Sequence, residues 1–214
     1  MSEISTPVTT EHFRYLASHT TQEDDLLMNL KAEARRQGIP SIWIAPEEGS
    51  FMHLLLKVIR AREVVEVGTL AGYSAIWMAR ALPSGGHLRT VEISREHADF
   101  AERWIAKSDV ADRVEIYRGA AAEILPRFAA DSADAVFIDA DKEGYAVYLR
   151  ESLRIVRRGG IIMADNAFGF GRLFETADPG SSAMRLFNEI IAMETSLQSI
   201  IVPLGDGLWV GLRL

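Results

Sequence analysis

The 214-residue chain contains no cysteine, which excludes disulfide bonds, thiolate metal sites and cysteine nucleophiles. It also lacks any apolar run that approaches the roughly 18 residues of a membrane-spanning helix. Its first eleven residues are polar and do not have the pattern of a signal peptide. The net charge of −7 and the lack of a basic stripe disfavour a nucleic acid as partner. These absences predict a cytoplasmic protein without membrane or nucleic-acid partners.

The composition that remains is that of a globular chain with a sizeable core, because 48% of the residues are hydrophobic and 25% are charged. We interpret residues 1–214 as one domain, with a helical arm or lid over residues 1–60 and an α/β core over residues 61–214. Apolar spacing predicts two helices in the arm, over residues 20–37 and 46–59. The second is expected to have one apolar face, made of Phe51, Leu54, Leu55 and Val58.

From Glu63 onward, short apolar runs alternate with helical stretches. The runs cover residues 64–67, 88–93, 114–117, 135–138 and 161–164, and Gly159 and Gly160 are expected to end the helix that precedes the last of them. Uniformly apolar strands in this rhythm predict a doubly wound α/β fold with a parallel sheet and helices on both faces. After a loop over residues 166–180 and a helix over residues 181–193, the runs 197–202 and 208–214 predict a closing antiparallel pair.

The segment after the first strand contains Gly68 and Gly72 and leads into a helix. Open α/β sheets bind ligands at the carboxyl ends of their strands, and glycines let a ligand approach the backbone there. Glu92 ends the second strand, where a carboxylate can accept hydrogen bonds from both ribose hydroxyls of an adenosine. An ordinary strand-to-helix turn and a helix-capping acid are the alternatives, but together the two features favour an adenosine-containing ligand.

Asp139 follows the fourth strand, and Asp165 and Asn166 follow the fifth. If these strands are neighbours, their oxygens converge at one rim and suit Mg²⁺ or a similar hard cation. The alternative is a pair of independent Asx turns. Lys142 stands three positions after Asp139, where a nearby cation would disfavour its protonated form and make it a candidate general base. Otherwise it is a surface lysine paired with Asp141 or Glu143.

These motifs together resemble a known family. They comprise residues 64–74 with both glycines, residues 90–92, residues 137–142 with Tyr145, Gly159-Gly160 before Asp165-Asn166, and the 203–208 turn. From about Ile44 to the C-terminus, the chain is similar to the cation-dependent O-methyltransferases that use S-adenosylmethionine (SAM), a group that includes catechol and caffeoyl-CoA O-methyltransferases.

The resemblance implies a Rossmann-like, seven-stranded class I methyltransferase sheet with an antiparallel C-terminal strand. It implies a phenolic small-molecule substrate with vicinal hydroxyls, one of which Lys142 deprotonates, with Asp139 as its catalytic partner. Asp139, Asp165 and Asn166 would bind the divalent cation, first Mg²⁺ and otherwise Mn²⁺ or Ca²⁺. A homodimer is also implied. The residues expected to bind SAM are Ile44, Ala45, Glu66, Gly68, Leu70, Ser74, Glu92, Ala121 and Asp139.

Two positions depart from the family pattern. Gly169 stands where the family usually carries a tryptophan, so Phe168 or Phe170 would have to supply the aromatic stacking face. Gly144 stands where an asparagine is common. Neither change touches a predicted metal ligand.

Two other functions stay open on the sequence. An NAD(P)-dependent oxidoreductase can use the same kind of sheet, but it predicts a G-x-G-x-x-G turn and a Tyr-x-x-x-Lys pair, and the sequence has neither. A non-catalytic scaffold that binds an adenosine ligand would use the strand-end acids only as caps. Such a scaffold would bind SAM without ever producing S-adenosylhomocysteine (SAH).

Overall fold

The computed structural model describes residues 6–175 and 179–214. In this part of the chain, seven strands form one sheet in the order β3-β2-β1-β4-β5-β7-β6. The first five strands are parallel, and β7 runs antiparallel to both β5 and β6. The strands are β1 Glu63–Val67, β2 His87–Glu92, β3 Val114–Arg118, β4 Ala133–Ile138, β5 Val156–Ala164, β6 Leu197–Val202 and β7 Leu208–Arg213. This architecture confirms the predicted fold class and its closing antiparallel pair.

Helices cover both faces of the sheet. They are α1 Thr10–His19, α2 Asp25–Arg36, α3 Pro46–Val58, α4 Tyr73–Ala79, α5 Arg95–Ile105, α6 Ala121–Ile124, α7 Tyr145–Ile155 and α8 Pro179–Met193, with short 3-10 turns at Leu125–Arg127 and Lys142–Gly144. Because successive strand residues point to opposite faces, Val64 and Phe137 pack with α2 to α5, whereas Val65 and Val136 pack with α7 and α8. None of the helices in the described ranges has the length and apolar character needed to cross a bilayer.

The predicted first helix, over residues 20–37, was wrong at its start. The structure begins this helix, α2, at Asp25, because Asp24 caps it by accepting a hydrogen bond from the Leu27 amide at 3.0 Å. A separate helix, α1, precedes it and was not predicted, and none of its residues is buried. On α2, Leu27, Leu30 and Ala34 are buried.

The predicted apolar face of α3 was wrong in part. Phe51 and Leu55 are half-buried against the core, but Leu54 and Val58 are 58% and 70% exposed, whereas Met52 and Leu56 are fully buried. Both sets recur at helical spacing, and contact with α4 decides between them. Gly49 lies against Trp77 so closely that an added Cβ would be 2.8 Å from the indole ring. A helix surface that close to its neighbour must be the buried one.

Gly159 and Gly160 do not end a helix. Helix α7 ends at Ile155, and β5 begins at Val156, so the two glycines lie inside the strand. A Cβ on Gly160 would lie 2.5 Å from the carbonyl oxygen of Asp134, which explains the need for glycine beside β4. The loop predicted over residues 166–180 ends earlier than expected, because α8 begins at Pro179. Residues 176–178 of that prediction lie outside the described residues.

Candidate active site

A cavity of about 400 Å³ opens at the carboxyl ends of the parallel strands. Most of the residues predicted to bind SAM, the base or the metal line it, namely Ile44, Gly68, Leu70, Ser74, Glu92, Ala121, Asp139, Lys142 and Asn166. Three predicted residues lie behind this wall. Glu66 is fully buried and accepts a hydrogen bond from the hydroxyl of Ser74, Ala45 caps the start of α3, and Asp165 is buried beside Asn166.

The glycine turn brings the ends of β1 and β4 together. Gly68 has φ +99°, and a Cβ there would lie 1.9 Å from the carbonyl oxygen of Asp139. Only glycine therefore fits at this position. This close approach places Asp139 beside the glycine turn. The backbone contact between Gly68 and Asp139 therefore joins the cavity wall to the polar rim.

Glu92 holds the turn in place. Its Oε2 accepts hydrogen bonds from the amides of Thr69 at 3.1 Å and Leu70 at 2.8 Å, and its Oε1 accepts one from the Ser94 amide at 2.8 Å. A carboxylate can accept about four hydrogen bonds in all, so about one acceptor position remains beyond these three. The Glu92 carboxylate thus holds the turn and also lines the cavity.

Asp139, Asn166 and Lys142 meet at the rim, as predicted from the strand ends. The Lys142 ammonium donates hydrogen bonds to Asp139 Oδ1 at 3.3 Å, to Asn166 Oδ1 and to the Tyr145 hydroxyl at 2.6 Å. It pairs with Asp139 and not with Asp141 or Glu143. Among residues 6–175 and 179–214, no group of three or more His, Asp or Glu side chains is arranged to hold a metal ion. The Lys142 ammonium lies between Asp139 and Asn166 instead.

Burial and mutual repulsion shape the acids around this rim. Burial, together with the charge of Asp139, raises the pKa of Asp165 to about 7. Burial also raises the pKa of Asp139, against the opposing effect of Lys142. Burial raises the pKa of Glu66 to about 8, against hydrogen bonds from Ser74 and Thr90. Carboxyl groups this close favour a bound cation, since a positive charge removes the repulsion.

The sequence missed Glu48, in the first turn of α3. It is fully buried, and burial followed by the charges of Asp165 and Asp139 raises its pKa to about 10. An acid in the first turn of a helix is ordinary and exposed, so no sequence signal marked this one. Its position beside Asp165 comes only from the docking of α3 onto the sheet.

The sequence also missed Asp206, although it stands in the 203–208 turn that carried part of the resemblance. Its Oδ2 accepts hydrogen bonds from the Asn166 side chain at 3.3 Å and the Phe170 amide at 2.5 Å, and its Oδ1 accepts one from the Gly171 amide at 3.0 Å. Asp206 therefore anchors the loop after β5, including the predicted ligand Asn166, to the final hairpin.

The two phenylalanines near Gly169 have different environments. Phe170 lines the cavity, and its ring centre lies 5.5 Å from the Lys142 ammonium. The ring of Phe168 lies against Gly207, where a Cβ would come within 2.9 Å of it, and it does not line the cavity. Of the two residues considered for the stacking face, Phe170 is the one with access to the cavity.

Gly144 is explained by Tyr148, one turn further along the chain. A Cβ on Gly144 would lie 2.3 Å from the Tyr148 ring, so an asparagine cannot share this site with the ring in its present place. The Tyr148 hydroxyl donates a hydrogen bond to Asp141 Oδ1 at 2.6 Å, and the side chain lines the cavity. In this structure the Tyr148 ring therefore leaves no room for a side chain at position 144.

With this geometry in view, comparison with known proteins is decisive. The family profile described as O-methyltransferase matches residues 17–214. The chain belongs to the O-methyltransferase family. The family and enzyme class inferred from the sequence motifs are thereby confirmed.

This O-methyltransferase is similar over most of its length to several bacterial proteins. A catechol O-methyltransferase of Niastella koreensis is 36% identical over 195 residues, which cover 89% of this chain and 88% of the relative. The solved structure of the O-methyltransferase TomG from Streptomyces achromogenes in complex with SAM has a TM-score of 0.82 at 32% identity and covers 94% of both chains. The O-methyltransferase from Bacillus cereus in complex with SAH has a TM-score of 0.84 at 31% identity, with 94% of this chain and 96% of that one covered.

Proposed function

We propose that this O-methyltransferase methylates one hydroxyl of a small aromatic acceptor with two adjacent hydroxyls, using SAM and a divalent cation, first Mg²⁺. The observation that carries the proposal is the position of the Lys142 ammonium. It bonds to Asp139 and Asn166 at the rim of the cavity that the glycine turn and Glu92 also line. One cavity thus combines residues suited to bind an adenosine with a set of oxygen ligands and a candidate base.

SAM would supply the methyl group, and its adenosine would bind along the glycine turn. Gly68, Leu70 and Glu92 provide backbone and carboxylate contacts there, while Ile44 and Ala121 provide apolar wall. Ser74 lines the cavity and is oriented by buried Glu66, so Glu66 would act through Ser74 and Ala45 through the start of α3. The SAM and SAH complexes of the Streptomyces and Bacillus proteins support this choice of cofactor.

The residues at the rim fit a divalent cation. Asp139, Asp165 and Asn166 offer the hard oxygen ligands that Mg²⁺ prefers, and two of them already accept hydrogen bonds from the positively charged Lys142 ammonium. A divalent cation held by these residues would supply positive charge that stabilises the ionised hydroxyl of the acceptor. Lys142 would then turn its amine to the acceptor and take the hydroxyl proton.

Phe170 supports an aromatic acceptor. Its ring is 52% exposed, lines the cavity and lies close to the Lys142 ammonium, so it offers a stacking face beside the candidate base. The name of the Niastella relative, a catechol O-methyltransferase, supports the same acceptor class. Holding the acceptor by its ring and both oxygens would aim one oxygen at the transferred methyl group, which is the orientation effect that such a reaction requires.

We also keep the homodimer as a proposal. The exposed apolar residues Leu54 and Val58 on α3 give it a candidate surface, since the two side chains are four positions apart and project from the same face. Light scattering of the purified protein measures its mass in solution. Twice the chain mass of 23.7 kDa would support the homodimer, and a single chain mass would exclude it.

The experiment that tests the function measures SAH and methylated product by mass spectrometry. The full chain is incubated with SAM and a catechol, with Mg²⁺, with Mn²⁺ or with excess chelator, and phenol serves as the matched acceptor without a second hydroxyl. We expect turnover of the catechol alone, and only with metal. Equal methylation in chelator would exclude the cation, and SAM binding without SAH from any diphenol would favour a scaffold.

Lys142→Ala separates the base from the metal. We expect kcat to fall by about 10²- to 10⁴-fold while metal and SAM affinities stay within a few-fold of the wild type, because the side chain moves a proton and is not a metal ligand. Raising the pH should restore part of the rate, since more acceptor is then ionised. Lys57→Ala, at an exposed lysine on α3, is the control. A silent Lys142→Ala would leave acidification of the hydroxyl to the cation alone.

A further inference from the structure

Glu48 is a buried acid that the proposed mechanism does not use. Its side chain is fully buried, and neither Oε1 nor Oε2 has a hydrogen-bond partner among the described residues. Burying a carboxylate without a partner is costly, so such groups are ordinarily paired with a charge or bound to a metal. The two unpaired oxygens of Glu48 are therefore expected to bind a ligand or to carry a proton.

The surroundings of Glu48 are acidic. The carboxyl of Asp165 lies against it, and the charge of Asp139 also acts on it. On another side the backbone of Gly205 comes so close that a Cβ there would be 2.1 Å from Glu48 Oε2. A hydrogen bond between Glu48 and Asp165 would require one of the two groups to carry a proton, because ionised carboxylates only accept. A shared cation is the other way to bring them together.

We infer that Glu48 is a further oxygen donor of the proposed cation site, reaching the cation directly or through one of its coordinated waters from the side of α3. This inference rests on the proposed function, since it uses the same cation. Asp139, Asp165 and Asn166 follow strands of the sheet, whereas Glu48 belongs to the N-terminal arm. Cation binding would consequently tie the arm to the core.

The alternative is a purely structural role, in which Glu48 is a neutral core acid that donates a hydrogen bond to Asp165. Glu48→Gln distinguishes the two, because an amide has nearly the same shape and can still donate a hydrogen bond to Asp165 but does not bring a negative charge to a cation. If Glu48 is a neutral core acid, Glu48→Gln preserves cation binding. If Glu48 is an oxygen donor of the cation site, Glu48→Gln weakens cation binding.

The experiment measures Mn²⁺ binding to the full, metal-stripped chain by electron paramagnetic resonance of the free ion, without acceptor. We expect Glu48→Gln to weaken Mn²⁺ binding by about 10- to 100-fold, the range found when supporting groups around a metal are removed. The matched control is Glu47→Gln, in the same turn of α3 but only half-buried, and it should stay within about two-fold of the wild type. Circular dichroism and the metal-free melting temperature check folding, and Glu48→Ala replaces the glutamine variant if that one is unfolded.

The outcomes separate this inference from the proposed function. If the wild type binds Mn²⁺ and methylates a catechol but Glu48→Gln binds Mn²⁺ equally well, the proposed function stands and the role of Glu48 is overturned. If the wild type does not bind Mn²⁺ at all, the proposed cation site is refuted, and the role of Glu48 is refuted with it. A ten-fold or greater loss confined to the Glu48 variant supports the inference.

Discussion

Gly144→Ala is expected to destabilise the protein through one contact. The new Cβ would lie 2.3 Å from the Tyr148 ring, far inside van der Waals distance. The ring is only 6% exposed, and its hydroxyl is bonded to Asp141, so it cannot swing away freely. Overpacking of this kind costs about 1–3 kcal/mol of the free energy of unfolding.

Without the Tyr148 ring, the same substitution should increase the free energy of unfolding instead of lowering it. Gly144 has φ −79° and ψ −14°, which alanine adopts without strain. In a Tyr148→Ala background, Gly144→Ala should therefore stabilise by about 0.4–1 kcal/mol, because alanine reduces the entropy of the unfolded chain. The coupling between the two positions then amounts to about 1.4–4 kcal/mol.

Urea denaturation at equilibrium of the wild type, both single variants and the double variant measures this coupling. Tyr148→Phe is the control that keeps the ring and removes the hydrogen bond, so Gly144→Ala should remain destabilising in that background. A neutral Gly144→Ala, or the same loss with and without the ring, would refute the claim that Tyr148 is the reason for glycine at this position.

Two further predictions concern the cavity. Glu92→Ala should weaken SAM binding by about 1.5–3 kcal/mol, the range for hydrogen bonds to a charged group, and calorimetry that finds unchanged affinity would contradict the ribose contact. The metal-free protein should lose stability as the pH rises from 5 to 8. Asp165 and Glu66 have folded pKa values of about 7 and about 8 against ordinary values of 3.8 and 4.5, so the folded state binds more protons than the unfolded state in this range. Melting temperatures that rise with pH would contradict it.

The central strands β1 and β4 could be predicted because each is a short apolar run that is buried on both faces, whereas the edge strand β3 mixes apolar and charged residues and is only partly buried. Such runs stand out from amphipathic stretches in any sequence. The polar residues at their ends could also be predicted to meet, since parallel strands bring their carboxyl ends to one edge. Asp139 and Asn166 share a rim in the structure for that reason. Prediction failed where the local pattern was ambiguous, as in α3, where two sets of apolar residues recur at helical spacing and only one of them is fully buried.

The sequence by itself determined the fold class, the glycine turn and the residue types at the strand ends, because these depend on periodicity and on residues close together in the chain. Only the tertiary structure decided that Lys142 bonds to Asn166, and that Phe170 and not Phe168 lines the cavity. The same holds for the burial of Glu48 beside Asp165. These contacts join residues far apart in sequence, and they arise only when the arm, the sheet and the final hairpin pack together.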